Sequence, residues 1–221
     1  MTFMVVVVFL ALFITLDYVM TRRRLARSDT ATVRVELPPL EPTWVAGFLM
    51  LEGLHYHRGH TWARPVEGAQ VVVGLDDFAR RLVGPATELG TPAVGNRLAQ
   101  GARGFSLGFD GRIANLVSPV EGEVTELNDE VVLRPTLATE DPYGRGWILK
   151  LKPRDLTANL HNLLTGRLAG AWMEDSRRDL DLRLMALSGS VMQDGGEPAA
   201  ELARHLKKED WERLVGDFLL G

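Results

Sequence analysis

Four groups of side chains in this sequence have the types and spacing to do chemistry. His55, His57 and His60 spell H-x-H-x-x-H, and imidazoles so spaced bind metal when carboxylates or thiolates complete the set. On an extended strand His55 and His57 share a face, while His60 falls on the opposite parity unless Gly59 makes a bulge. The chain contains no cysteine and no carboxylate pair lies nearby, so a structural or surface role is expected and no metal site. Asp76-Asp77, and Glu121 with Glu123, are the carboxylate pairs available for proton transfer. The first suits the N-terminus of a helix, and the second flanks a turn on a solvent-facing strand. The glycine turns "GARG" and "DGG" do not sit between a strand and a helix, as a phosphate loop must. The lysines are Lys150, Lys152, Lys207 and Lys208, so amine chemistry is absent from the first two-thirds of the chain. No catalytic residue is expected, and no enzymatic activity of the chain's own.

The stretch "FSLGFDGRIANLVSPVEGEV", Phe105 to Val124, reads as two strands joined at Asp110-Gly111. Asp-Gly between alternating segments favours a two-residue turn, because such a turn needs positive φ at both central positions. Phe105, Leu107 and Phe109 alternate on one side, and Ile113 and Val117 are read as recurring on the other. The tip thus presents Asp110, Gly111 and Arg112, none of them a nucleophile.

Bulk composition narrows the function further. The chain has 221 residues, 46% hydrophobic and 24% charged, which is that of a folded protein with room for one ordinary domain plus appendages. The absence of cysteine removes disulfides, thiolate metal sites, cysteine-ligated iron-sulfur clusters and thiol catalysis. Net charge is −4, and the first 27 residues contribute +3, leaving an acidic body of −7 that argues against nucleic acid as a partner.

The elements that must position these residues fall into four parts. Residues 1–21 are predicted to form a transmembrane helix: Met1 to Leu16 is uncharged and apolar, and about 19 residues cover ~28 Å of hydrocarbon. Arg22, Arg23, Arg24 and Arg27 follow it directly, which by the positive-inside rule puts the N-terminus outside and the body in the cytoplasm, on the plasma (inner) membrane with a single pass. A cleaved signal peptide fits worse, since the positive flank lies on the wrong side and no small-residue cleavage site follows. Residues 22–43 form a basic juxtamembrane segment and a stiff linker ending in "PPLEP". Residues 44–153 show short hydrophobic strands between glycine, proline and aspartate turns, including 71–75, 97–98, 105–109, 113–117, 123–127 and 147–151. A helical turn or two begins at Asp76-Asp77. Residues 154–221 switch to helical period, with a stripe of Leu156, Leu160, Leu163, Leu164 and Leu168 continued through Trp172, Met173, Leu180, Leu184 and Met185, and with Gly166 and Gly170 as weak points. Pro198 suits the first turn of a last helix carrying Leu202, Leu206, Trp211, Leu214, Val215, Phe218 and Leu219. These helices are expected to pack on the β body; the alternative is that they offer their apolar stripe to a partner.

Several segments, in order, resemble the glycine cleavage system H protein family, a lipoyl-carrying member of the barrel-sandwich hybrid group. "HTWAR" at His60 to Arg64, "VGLDDFARRLVG" at Val73 to Gly84, "SPVEGEVTELN" at Ser118 to Asn128 and "EDPYGRGWILKLKP" at Glu140 to Pro153 carry the resemblance. It covers roughly Leu54 to Pro153, under half the chain. It implies a mainly β lipoyl-type domain, joined here to the N-terminal transmembrane helix and the C-terminal α-helical extension. In that family a lysine at a hairpin tip carries lipoate, whose arm shuttles an aminomethyl group between enzymes. Counting back from Ser118-Pro119, its place falls on Gly111. Arg112 cannot substitute, because a guanidinium stays protonated and is too weak a nucleophile for amide formation. Lys150 and Lys152 match the family's late strand.

The expectation is therefore a chain without a cofactor, acting as a membrane-anchored docking or assembly subunit, with protein partners in a membrane-associated complex such as a redox one. Asp110, Gly111 and Arg112 form the docking hairpin. The alternative is an accessory of lipoyl-carrier or glycine cleavage metabolism that binds its partners noncovalently. A membrane-fusion adaptor of an export system fits worse, since the arginines lie on the wrong side and sustained heptads are missing.

Overall fold

A computed structural model describes residues 40–188 and 205–221. The expected transmembrane helix, the arginines after it, most of the linker, and the start of the last helix at Pro198 and Leu202 lie outside the described residues. Among the described residues no helix is long and apolar enough to cross a membrane.

The body is β-rich, and all its strand pairs are antiparallel. β1 (Pro42–Val45) and β2 (Phe48–Leu51) form a hairpin over Ala46-Gly47, both at positive φ. The extended run from the linker thus becomes a strand already at Pro42. β3 (His55–His57), β4 (Thr61–Val66) and β5 (Gln70–Leu75) follow, with β6 (Glu88–Gly90), β7 (Arg97–Leu98), β8 (Arg103–Phe109), β9 (Arg112–Val117), β10 (Gly122–Leu127) and β11 (Leu149–Lys152). One six-stranded sheet runs β3-β4-β5-β11-β10-β7, and a three-stranded sheet runs β6-β8-β9. The apolar residues of the two sheets meet in one core that includes Val71, Val73, Leu107, Leu116, Val124, Leu149 and Leu151. Gly74 is obligatory there: a Cβ at that position would come within 2.4 Å of the Trp62 ring.

Strands predicted from alternation are present, while the very short β3 and β6 and the first hairpin escaped prediction. One reading is corrected. Ile113 points to solvent, with 56% of its surface exposed, and β9 buries Ala114 and Leu116 as well as Val117. The register decides this: Leu107 pairs with Ala114 and Phe105 with Leu116, and directly opposed residues share a face.

Six helices complete the described chain. α1 (Asp77–Val83) is capped as predicted, the Asp76 side chain accepting from the Ala79 N–H at 2.9 Å. α2 (Asp129–Leu133) and α3 (Leu137–Glu140) are short. After Pro153, α4 (Leu156–His161) is capped by Asp155. α5 (Gly166–Ser188) and α6 (Lys208–Leu219) form the C-terminal extension, and the helix expected to carry Leu206 begins only after it, because Lys207 is extended at ψ 153°.

The single leucine stripe expected from Leu156 to Met185 is interrupted. Between α4 and α5 the chain extends, and Leu164 exchanges two backbone hydrogen bonds of 2.8 Å with Tyr56. Gly166, at φ +50°, then restarts the helix in a new phase. α5 consequently buries Ala169, Met173, Ser176, Leu180 and Leu184, while Leu168 is 70% exposed. Gly170 lies within the unbroken helix near Val45.

Candidate functional site

The β8–β9 hairpin is the element on which the sequence focused. Its tip is a two-residue turn, with Asp110 at φ 49° and Gly111 at φ 67° between the paired Phe109 and Arg112. The strands are held in place from below, since Phe105, Leu107, Ala114 and Leu116 all enter the core. Where β9 ends, the Ser118 N–H donates to Ala102 O at 2.8 Å, and a Cβ on Gly104 would press on Ser118 backbone.

The tip is stitched to the last helix. Lys208 Nζ donates to Gly111 O at 2.8 Å, and Arg112 Nη2 donates to Leu206 O at 3.0 Å. The Arg112 guanidinium also lies over the Trp211 ring, 5.5 Å from its centroid, a cation–π contact that anchors the arginine along its length. Trp211 itself is buried, and its Nε1–H donates to Leu82 O of α1 at 3.1 Å. Leu214, Val215, Phe218 and Leu219 continue the buried face of α6. Asp110 and the Gly111 surface stay exposed. Sequence reasoning placed Asp110, Gly111 and Arg112 together but missed Leu206, Lys208 and Trp211, whose contacts join residues nearly a hundred positions apart.

The other chemistry-bearing groups serve the fold. His60 is fully buried, with a left-handed φ of 56°, and its Nδ1–H donates to Asp76 Oδ2 at 2.8 Å. Its ring stacks on Phe78 at 3.9 Å and lies 4.6 Å from Trp172. His57 Nδ1 accepts from the Gly59 N–H at 3.0 Å. Burial pushes the His55 imidazole below its ordinary pKa, and His57 is lowered first by burial and then by the nearby His60 and Arg58. Among the described residues no three His, Asp or Glu groups converge as a metal site would require.

Asp76 and Asp77 divide two structural tasks. Asp76 caps α1 and holds His60. Asp77 is buried, accepting from Leu49 N–H at 3.0 Å and pairing with Arg80 and Arg81. Its own N–H donates to the Tyr143 hydroxyl, which donates in turn to Leu49 O at 2.7 Å. The β1–β2 hairpin is thereby tied to α1. Burial drives the Tyr143 phenol well above its usual pKa, so it stays a neutral donor. Glu121 accepts from the Arg154 N–H at 2.7 Å, and Glu123 faces Arg97 at 3.6 Å. Lys150 pairs with Glu126 at 2.8 Å and covers the Trp147 ring.

Residues 54–176 match the sequence profile of a family described as Glycine cleavage H-protein. The chain is 34% identical over 120 residues to the probable glycine cleavage system H protein of Pyrococcus horikoshii, spanning 54% of this chain and 89% of that one. It is 36% identical over 121 residues to the glycine cleavage system H protein of Magnetococcus marinus, spanning 55% and 85%. The H protein of Thermus thermophilus is 36% identical over 119 residues, spanning 54% and 89%. A crystal structure of a glycine cleavage system H protein from Mycobacterium marinum aligns with a TM-score of 0.48 at 25% identity, covering 55% of this chain and 96% of that one. The matched residues include the hairpin tip and end within α5. Leu206, Lys208 and Trp211, which hold the tip, lie beyond them.

Proposed function

The chain belongs to the glycine cleavage H-protein family, and from that premise we propose that it is a non-catalytic, membrane-anchored docking or assembly subunit that works without lipoate. The observation that carries this reading is the stitched tip. Gly111 takes the place the resemblance gives to the carrier lysine, so amide attachment there has no amine to use. Instead, the Gly111 carbonyl accepts from Lys208, and Arg112 is held against Trp211 and Leu206 O. A hairpin that must deliver a swinging arm needs a free tip; a hairpin fastened to its own C-terminal helix is suited to present a fixed surface.

The rest of the proposal concerns the membrane and the partners. The apolar residues 1–21 anchor the chain in the plasma (inner) membrane, and the arginines after them keep the body cytoplasmic. The partners are protein subunits of a membrane-associated complex, a redox complex among them. Nucleic acid is not a partner of so acidic a body.

The test is gentle detergent purification of the tagged full chain from its native membrane, with mass spectrometry of the intact chain and of everything retained. A stable set of integral or redox subunits around an unmodified chain is the expected result. The likeness to H proteins favours a second reading, an accessory of lipoyl-carrier or glycine cleavage metabolism that binds its partners noncovalently. Retention of lipoylated or glycine-cleavage proteins instead would establish that reading and end the first. A C-terminal reporter active on the outer side of the membrane would overturn the topology.

A further inference from the structure

The longest helix of the described chain has two faces, and among the described residues only one of them is packed. α5 packs inward through Ala169, Met173, Ser176, Leu180 and Leu184. Its outward face carries Leu168, Ala171, Asp175, Arg178, Leu182 and Met185, all exposed. Leu168 and Leu182 expose 70% and 66% of their surface, values usual for lysine and costly for leucine. The intervals between these six residues are three, four, three, four and three, the spacing that keeps a seam in line along two packed helices.

The order of residues on the seam is self-complementary when read backwards. In an antiparallel pair of α5 helices, Leu168 meets Met185 of a second copy, Ala171 meets Leu182, and Asp175 meets Arg178. Every outer layer is apolar against apolar, and the central layer sets opposite charges against each other twice about the two-fold axis. A parallel pair would instead set Asp175 against Asp175 and Arg178 against Arg178. Within one chain Asp175 and Arg178 already form an ion pair, so both side chains lean toward the centre of the seam. The flanking acids Asp179 and Asp181 are neutralised along the helix by Arg183 and Arg177 at 2.9 and 2.8 Å, which limits repulsion at the margins.

We propose that the outward face of α5 is a homodimer interface, in which a second copy of this chain packs its own α5 antiparallel with Asp175 opposite Arg178. The seam spans about 26 Å of helix, and the small Ala171 beside the central layer lets the two backbones approach. The inference goes beyond the docking reading and does not depend on it. One surface serves a copy of the chain, and the hairpin tip lies on a different element.

Because the chain has no cysteine, introduced thiols report the register directly. Ala171→Cys combined with Leu182→Cys places two thiols about 16 Å apart along one helix, too far for an internal disulfide. In the full chain in detergent, mild oxidation should convert this double variant to a covalent dimer, whereas each single variant should stay monomeric on a non-reducing gel. Asp175→Arg should weaken dimerisation more than tenfold in sedimentation equilibrium, and Asp175→Arg with Arg178→Asp should restore it. Self-linking of Ala171→Cys alone, failure of the double variant to link, or a wild-type chain that sediments as a monomer at all concentrations would each overturn the proposal. None of these results bears on which subunits co-purify, so the docking reading stands or falls separately.

Discussion

The two helices of the C-terminal extension were built from similar material and put to different use. α6 has one apolar face, and the body takes all of it: Trp211, Leu214, Val215, Phe218 and Leu219 are buried. α5 is nearly twice as long and divides its apolar residues between an inner face and an outer one, so Leu184 is 3% exposed while Leu182, two residues away, is 66% exposed. The two are fastened together, Arg183 pairing with Asp217 and lying over Phe218 at 5.3 Å. The contrast separates two meanings of a hydrophobic helix. One is a lid whose apolar content is consumed by the fold, and the other is a strut with apolar surface left over for another molecule.

The sharpest way to break this contrast is Trp211→Ala. It deletes a buried ring, its hydrogen bond to Leu82 O and the platform beneath Arg112, and should cost about 3–5 kcal/mol of unfolding free energy by denaturant titration of the full chain. A loss below ~1 kcal/mol would mean that α6 is not seated as described. Within α5, Leu184→Ala should cost about 2–5 kcal/mol. Leu182→Ala, measured in dilute protein, should stay within about 0.5 kcal/mol. Equal costs would erase the distinction between the two faces.

A smaller effect is expected at the tip. Gly111 sits at φ +67° with open space around the position of a Cβ, so Gly111→Ala should cost about 1 kcal/mol through the backbone alone. Lys208→Ala, at a half-exposed amine, should change stability by less than about 0.5 kcal/mol.

The smallest effect is a pH dependence beneath the end of α6. A Cβ on Gly221 would lie 3.6 Å from His57 Cε1, and the folded state holds both His55 and His57 below their ordinary pKa through burial. The unfolded chain therefore takes up protons that the folded chain resists. This contribution is complete above the unfolded value of about 6.5 and is lost as pH falls below it. The melting temperature should decline from pH 7 to 5, and His57→Asn should make that decline shallower. An unchanged slope in the variant would exclude His57 as a source.

Legibility in the sequence followed the range of the interactions. The Asp76 cap, the Asp110-Gly111 turn and the apolar face of α6 could be read because each depends on residues within one or two turns of chain. The parity of β9 was misread because it is set by pairing across the turn: once Leu107 is buried, Ala114 must be too. Leu168 was assigned to the core because its stripe was continued through Asn162 to Thr165, where the backbone instead bonds to Tyr56. That partner lies over a hundred residues earlier, and no local pattern announces it. The same holds for the site. The tip was found from its turn residues, but the fastening by Lys208, Leu206 and Trp211 exists only once the chain has folded back.

That fastening also has a bearing on engineering. A lysine placed at residue 111 would find room for its side chain, yet it would emerge beside a backbone carbonyl already claimed by Lys208 and next to an arginine wedged against Trp211. An enzyme that needed to grasp the turn from every side would first have to lift α6 away, exposing the Trp211 ring. On the proposed reading, installing a carrier lysine at this turn would take at least two changes, of which neither helps without the other. On that reading access to the turn is governed from the far end of the chain, and the last helix is its latch.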